Sequence, residues 1–248
     1  MSLKERETAI IEYLKENRSA TVEELCNALF VSEPTMRRDL SALNAMGKII
    51  RTYGGASYKS EHGQNLPQEY RAHEHRDAKA AIAKRCLSLV NDGDVVMTDG
   101  SSTALELLRI IGKKKSIMII TNNAKAPLVL ASTQAKTFVT GGELAGESLV
   151  YVGGYAEEFI RSFNADICFF SVRTLTRDGM LTDNAIAENS VRRVMMSRSR
   201  KKVLMLDSGK IGEPCTNTLT SLHEVDLVVS EKDISHKFPD FSEKFLSI

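Results

Sequence analysis

The 248-residue chain has no tryptophan, only five prolines and four cysteines, and 6 % aromatic residues. Cys26, Cys86, Cys168 and Cys215 are widely spaced with no Cys-x-x-Cys pair. That argues against a disulfide framework and for reduced thiols in a cytoplasmic protein. No segment approaches the run of about 18 apolar residues that a membrane helix needs, and the first residues lack the charged-then-apolar pattern of a signal peptide. A formal net charge of +1 implies no general affinity for polyanions. No Gly-x-Gly-x-x-Gly follows a strand pattern and no Gly-x-x-x-x-Gly-Lys-Ser/Thr occurs, so neither a dinucleotide fold nor a P-loop is signalled.

What is present begins with residues 32–55, Ser-Glu-Pro-Thr-Met-Arg-Arg-Asp-Leu-Ser-Ala-Leu-Asn-Ala-Met-Gly-Lys-Ile-Ile-Arg-Thr-Tyr-Gly-Gly. At about 3.6 residues per turn, Met36, Leu40 and Leu43 share one stripe, while Pro34, Arg37, Arg38 and Ser41 lie on the other side. Such a helix buries one face and offers two guanidinium groups with the other. Ser32 suits the N-cap, Glu33 the positive end of the helix dipole and Pro34 the first turn, and Gly47 is a stop. An isolated arginine pair is usually only a solvated face. Here two shorter helices precede it. Residues 4–16 carry Ile10, Ile11 and Leu14 at helical spacing, and residues 22–29 carry Val22, Leu25 and Leu29 behind Thr21 and Glu24, spaced as a capping box. The link Phe30-Val31-Ser32 has the length of the turn in a helix-turn-helix. After Gly47, Lys48 to Tyr53 favours a strand, Gly54-Gly55 permits a tight turn and Ala56-Ser57-Tyr58 returns as its partner, which makes a wing.

Charge is concentrated on the same element. Residues 1–59 hold nine Lys or Arg against eight acids, but from Thr35 to Lys59 five bases (Arg37, Arg38, Lys48, Arg51, Lys59) face only Asp39. Positive potential therefore gathers where phosphates would lie.

Val31-Ser32-Glu33-Pro34-Thr35-Met36-Arg37-Arg38-Asp39-Leu40, followed by Gly47 and Tyr53-Gly54-Gly55-Ala56, resembles the amino-terminal signature of the DeoR family of bacterial transcriptional regulators. Met36 replaces the more usual isoleucine, a change of apolar shape only. The resemblance implies a winged helix-turn-helix over residues 1–58 in which Ser32, Thr35, Arg37 and Arg38 meet operator DNA. The candidate interface extends to Ser41 on the helix and to Arg51, Thr52, Tyr53 and Gly54 in the wing.

Residues 59–77 hold few apolar residues and no clear period, as expected of a linker. His62, His73 and His75 within it fit no common zinc spacing and have no cysteine beside them, so neither metal nor cofactor is expected. Residues 78–248 are enough for a second core. Apolar strand candidates at 94–97, 116–120, 136–139, 166–172, 202–206 and 225–229 alternate with helical stretches at 78–90, 102–111, 124–132, 154–163 and 184–199, the pattern of an α/β domain with a largely parallel sheet.

Ligands of such sheets bind beyond the carboxyl ends of strands. Four of those places are polar: Thr98-Asp99-Gly100-Ser101-Ser102-Thr103, Thr121-Asn122-Asn123, Thr140-Gly141-Gly142-Glu143 and Asp207-Ser208-Gly209-Lys210. Gly100 permits close backbone approach, and Ser101 to Thr103 offer hydroxyl and amide donors at a helix start, where the dipole favours an anion. These loops look like the effector domain of DeoR-type regulators, itself similar in fold to ribose-5-phosphate isomerase and the CoA transferases; Gly209 stands where a serine commonly precedes the lysine. The resemblance implies a phosphorylated sugar or polyol as effector, with Ser101, Ser102 and Thr103 at the phosphate. Asp99, Gly100, Asn122, Gly141, Gly142, Glu143 and Lys210 complete the expected pocket.

An isomerase would need a carboxylate base and a donor for the enediolate, for which Asp183, Glu188 and Lys210 are the available groups. The simpler expectation for Asp183 is a helix cap and for Glu188 a solvated or structural acid, which leaves binding without catalysis. A domain serving only dimerisation would leave the polar strand ends unexplained. The expected protein is thus a ligand-controlled repressor of carbohydrate genes, acting as a homodimer or homotetramer, with a sugar-phosphate isomerase fused to a DNA-binding module as the alternative.

Overall fold

Residues 3–17, 19–46, 48–52, 54–58, 75–146 and 148–246 are described by the computed structural model, and they fall into two units, Met1–Glu74 and His75–Ile248. Gly47, Tyr53, His62, His73 and residues 59–74 of the expected linker lie outside the described residues. Its Arg76 and Asp77 open the first helix of the second unit.

In the first unit, helices α1 (Leu3–Asn17), α2 (Val22–Leu29) and α3 (Glu33–Ala45) enclose Ile10, Leu14, Val22, Leu25, Met36, Leu40 and Leu43, all buried. The capping box of α2 forms as spaced: the Glu24 N–H donates to Thr21 Oγ1 at 3.1 Å, and the Thr21 N–H donates back to the Glu24 carboxylate at 2.7 Å. Phe30 ends α2 in the left-handed region (φ 53°), its N–H returning to the Cys26 carbonyl. Ser32 occupies the N-cap position of α3, but its hydroxyl pairs with that of Thr35 at 3.0 Å and satisfies no helix amide. Asp39, expected among the surface charges, is instead buried and held to α1 by Arg6, whose Nε lies 2.7 Å from its carboxylate.

The wing is β2 (Ile49–Thr52) paired with β3 (Gly55–Tyr58), Thr52 standing opposite Gly55 and Gly54 taking φ +79° in the turn. A strand the sequence reading did not anticipate, β1 (Ser19–Thr21), pairs antiparallel with β3, giving the order β1-β3-β2. Its approach explains Gly55: a Cβ there would lie 2.1 Å from the Ala20 carbonyl oxygen.

The second unit is built on seven parallel strands: β4 (Val95–Thr98), β5 (Met118–Thr121), β6 (Lys136–Val139), β9 (Ala165–Phe170), β12 (Ser199–Met205), β14 (Leu227–Val229) and β15 (Phe245–Leu246). Successive side chains enter opposite cores. Val96, Ile119, Ile167, Phe169 and Val203 face one core, with residues of α4 (Arg76–Leu87), α5 (Ser102–Ile111) and α6 (Ala126–Leu130). Met97, Ile120, Cys168, Phe170 and Leu204 face the other, with α7 (Gly154–Arg161) and α8 (Ile186–Ser197). Burial on both faces is why these strands are continuous apolar runs. All six expected strands and all five expected helices are present, with ends displaced by a few residues.

The strand order is β15-β14-β12-β9-β4-β5-β6. From β4 the chain steps outward through β5 and β6; from β9 it steps the other way through β12 and β14. The reversal places a topological switch point between β4 and β9. Two smaller pieces were not foreseen: a hairpin of β7 (Glu143–Ala145) and β8 (Val150–Val152), and an antiparallel sheet of β10 (Thr174–Leu175), β11 (Met180–Asp183) and β13 (Asn217–Ser221).

Candidate functional site

The first unit presents one cationic face. The stripe Met36, Leu40 and Leu43 is buried, so Arg37, Arg38 and Ser41 are necessarily exposed; Ser32 is exposed and Thr35 half-buried. Arg37 is held by Glu33, its Nε at 2.8 Å and Nη2 at 2.6 Å from one carboxylate oxygen. Arg38 makes no ion pair among the described residues. Ser41 donates to the Arg37 carbonyl at 2.8 Å. On the wing, Gly54 is exposed and Arg51 half-buried, its N–H bonded to the Asn44 side chain at 2.9 Å. Burial, then the nearby charge of Arg37, lowers the Arg51 pKa, which marks the two cations as neighbours. A groove of about 480 Å³ runs between the start of α2, α3 and the wing turn, lined by Thr21, Val22, Glu23, Cys26, Glu33, Arg37 and Gly54.

Two expectations change here. Thr52 is 7 % exposed, with its hydroxyl enclosed, in the register opposite Gly55; its side chain does not join the face. The acid that tempers the arginines is Glu33, not the buried Asp39.

In the second unit the four polar strand ends line one edge of the sheet, ordered by the strands that carry them. At the switch point Asp99, following β4, accepts the Ser101 N–H at 3.1 Å with one oxygen. Its other oxygen accepts the Ser171 N–H, following β9, at 3.2 Å and Arg192 Nε at 2.9 Å. Arg192 comes from α8 and is buried with three carboxylates: Nη1 lies 3.1 Å from Asp183 and Nη2 3.0 Å from Glu188. Nη1 also donates to Asn189 at 2.8 Å. Burial opposes the charge on Arg192, but Asp99, Asp183 and Glu188 outweigh it and its pKa is raised.

Ser101 caps α5, accepting the Ala104 N–H at 3.1 Å, and Ser102 and Thr103 are buried in its first turn. Asn122 donates to the Tyr151 carbonyl at 2.9 Å. Lys210 reaches the Ser171 hydroxyl at 2.9 Å and stands 3.8 Å from Asp207. Four buried polar atoms around this edge, Thr98 Oγ1, Thr103 Oγ1, Asn122 Oδ1 and Asn123 Nδ2, have no hydrogen-bond partner among the described residues.

The structure thus brings Asp99, Ser101, Ser102, Thr103, Asn122 and Lys210 to one edge. Asp99 is committed to a buried ion network, where the sequence suggested an open pocket wall. Gly100 answers a different demand from the one expected: a Cβ there would meet the Val150 side chain at 1.9 Å, so it is the β7–β8 hairpin that approaches closely. Gly141 and Gly142, at φ +65° and +110°, turn the chain into that hairpin. Glu143 is exposed on it and shares no hydrogen bond with the edge among the described residues. Asp183 bonds the N–H groups of Asn184 and Ala185 at the entrance to α8, and Glu188 is buried rather than solvated.

Sequence reasoning missed Arg192, Ser171 and two supports of the Lys210 loop. Glu231 accepts from the Ser208 N–H at 3.0 Å and the Ser208 hydroxyl at 2.5 Å, and His75 Nδ1 lies 3.6 Å from Asp207. The Glu188-x-x-x-Arg192 spacing was a usable signal; the others have none, since their partners are remote in sequence. Among the described residues no group of three or more His, Cys, Asp or Glu is placed to hold a metal, and no helix is long and apolar enough to cross a membrane.

Comparison with known proteins covers both units. The DeoR-like helix-turn-helix domain matches residues 6–62, and the DeoR C terminal sensor domain matches residues 74–232. The chain is 32 % identical over 232 residues to the HTH-type transcriptional regulator GolR of Listeria innocua, covering 93 % of this chain and 91 % of that protein. It is 27 % identical over 245 residues to the HTH-type transcriptional repressor GlcR of Bacillus subtilis, covering 98 % and 94 %. Among solved structures it is similar to ribose 5-phosphate isomerase A of Methanocaldococcus jannaschii, with a TM-score of 0.43 and 16 % identity over 56 % of each chain.

Proposed function

Because the chain belongs to the DeoR family of transcriptional regulators, we propose that it is a repressor whose grip on operator DNA is set by a phosphorylated sugar or polyol. The observation that carries the DNA half is the division of α3, whose Met36–Leu40–Leu43 face is core while Arg37 and Arg38 are exposed one turn from its start. Residues near the start of the second helix of a helix-turn-helix meet base edges, and the wing lies by the adjacent phosphates. A homodimer or homotetramer would set pairs of such helices on half-sites about one DNA turn, or a multiple, apart.

The ligand half rests on the unpartnered Thr103 Oγ1 and Asn122 Oδ1 beside the start of α5 and Lys210. Hydroxyl and amide groups, a helix start and an ammonium suit a molecule that carries both hydroxyls and an anion. We read the site as binding without turnover, since Asp99, Asp183 and Glu188 each commit an oxygen to Arg192 and none is left as an unencumbered base. His75, at the start of the second unit, touches the loop that carries Lys210, so movement of that loop on binding would reach the root of α4.

The test is binding of the full chain to DNA flanking its own gene, titrated with sugar and polyol phosphates and with the same compounds lacking phosphate. Selective DNA binding altered only by phosphorylated ligands is expected. Binding indifferent to all of them, or steady isomerisation of one, would overturn the reading. Arg38→Ala should weaken operator binding by about 1–3 kcal/mol if Arg38 reads a base, or lower the salt slope by about one if it holds a phosphate.

A further inference from the structure

We propose that Glu33 is a base-reading residue, acting with Arg37 as one unit that selects a cytosine beside the guanine Arg37 contacts. The assignment rests on α3 being the DNA-reading helix. Glu33 is the first residue of α3, with its side chain 59 % exposed, and Arg37 follows one turn later at 52 %. Both Nε and Nη2 of Arg37 donate to the same Glu33 oxygen, Oε1. Nη1 and the second hydrogen of Nη2 are left, and together they form the edge that matches O6 and N7 of guanine. The other Glu33 oxygen, Oε2, accepts no hydrogen bond among the described residues.

An acid on a face meant for phosphates opposes binding. The exposed pair and the helix dipole together stabilise α3 by only about 1 kcal/mol, and any acid or hydrogen-bonding residue in the first turn would serve that purpose, whereas the fork held on Arg37 is particular to Glu33. A carboxylate is an acceptor only, and it fits a base edge that offers only a donor. Cytosine presents its N4 amino group alone in the major groove, whereas adenine sets the N7 acceptor beside N6, which a carboxylate would repel. Glu33 also holds the Arg37 side chain in one orientation before DNA arrives, so less rotamer freedom is lost on contact. Arg51, close enough to Arg37 to feel its charge, places the wing on the same side.

The experiment is selection from a randomised duplex library by the full chain, by Glu33→Gln, Glu33→Ala and Arg37→Ala, and by Glu23→Ala as a control. Glu23 is an exposed acid lining the same groove, at the start of α2. The parent should enrich a cytosine next to a guanine. Both Glu33 variants should lose the cytosine preference by roughly 5- to 150-fold while keeping the rest of the site, and Arg37→Ala should lose the adjacent guanine. If Glu33→Ala instead binds every sequence more tightly without a change in base preference, as Glu23→Ala would, the assignment is overturned. A parent chain that enriches no sequence would overturn DNA reading by α3 itself, and this assignment with it. Unchanged circular dichroism melts exclude misfolding as the cause of any loss.

Discussion

Removing the Arg192 guanidinium would leave Asp99, Asp183 and Glu188 buried together without a counter-charge. Breaking one side of a buried pair typically destabilises by about 3–5 kcal/mol. Arg192→Met should therefore lower the unfolding free energy by that order, seen as a fall in the urea midpoint, and Arg192→Lys should recover part of it, because an ammonium cannot span three carboxylates as a fork does. An unchanged midpoint in Arg192→Met would show that the carboxylates hold themselves. Glu231 is a milder case. Burial would raise its pKa, but hydrogen bonds led by the Ser208 hydroxyl outweigh it and leave the pKa lowered. A group with a lowered folded pKa contributes stability above its unfolded pKa and loses it as pH falls through the folded value. Glu231→Gln should thus destabilise by about 1 kcal/mol at neutral pH, with the difference from the parent narrowing in acid; a gap independent of pH would contradict this. At this scale the sequence located polar residues but not their commitments. Asp99 was legible as a strand-end acid, but its partner Arg192 lies 93 positions away, so its burial was not.

Elements were legible in proportion to how much apolar surface they bury. The central strands β4, β5, β9 and β12 enter two cores, and their runs of Val, Ile, Leu and Phe stand out against polar loops. The hairpin strands β7 and β8 are only three residues each, and the sheet β10-β11-β13 is short and rich in Thr, with β13 joined to β11 across distant segments, as Met180 to Ser221. Their signal is in the register, which one sequence does not display. The same holds for β1, whose three residues Ser19–Thr21 show no alternation, yet whose pairing dictates Gly55. Gly55→Ala would force β1 and β3 apart. We expect the first unit to lose about 1–3 kcal/mol and operator affinity to fall, with the calorimetric transition of the second unit unmoved. Normal DNA binding by this variant would mean that the wing works without its third strand.

At the scale of the whole molecule, the proposed function requires that two binding events share free energy. If an effector changes operator affinity, operator DNA must change effector affinity by the same factor, and such couplings are typically about 1–3 kcal/mol. One contact between the start of the second unit and the effector edge is His75 on Asp207. It joins the root of the second unit to the loop bearing Lys210, and Gly209 keeps that loop open to the ring, since a Cβ there would stand 3.2 Å from His75 Cε1. Once a phosphorylated ligand has been found, titration calorimetry with and without operator should give matching shifts, roughly 5- to 150-fold in either direction of the cycle. His75→Ala should keep ligand and operator affinity each near the parent value when measured alone, while the shift between them shrinks. If the shift survives in His75→Ala, coupling runs through other contacts. If ligand binding itself is lost, His75 supports the binding-competent state of the Lys210 loop and is not a pure coupling contact, because a residue that shifts that state changes the affinity measured without DNA.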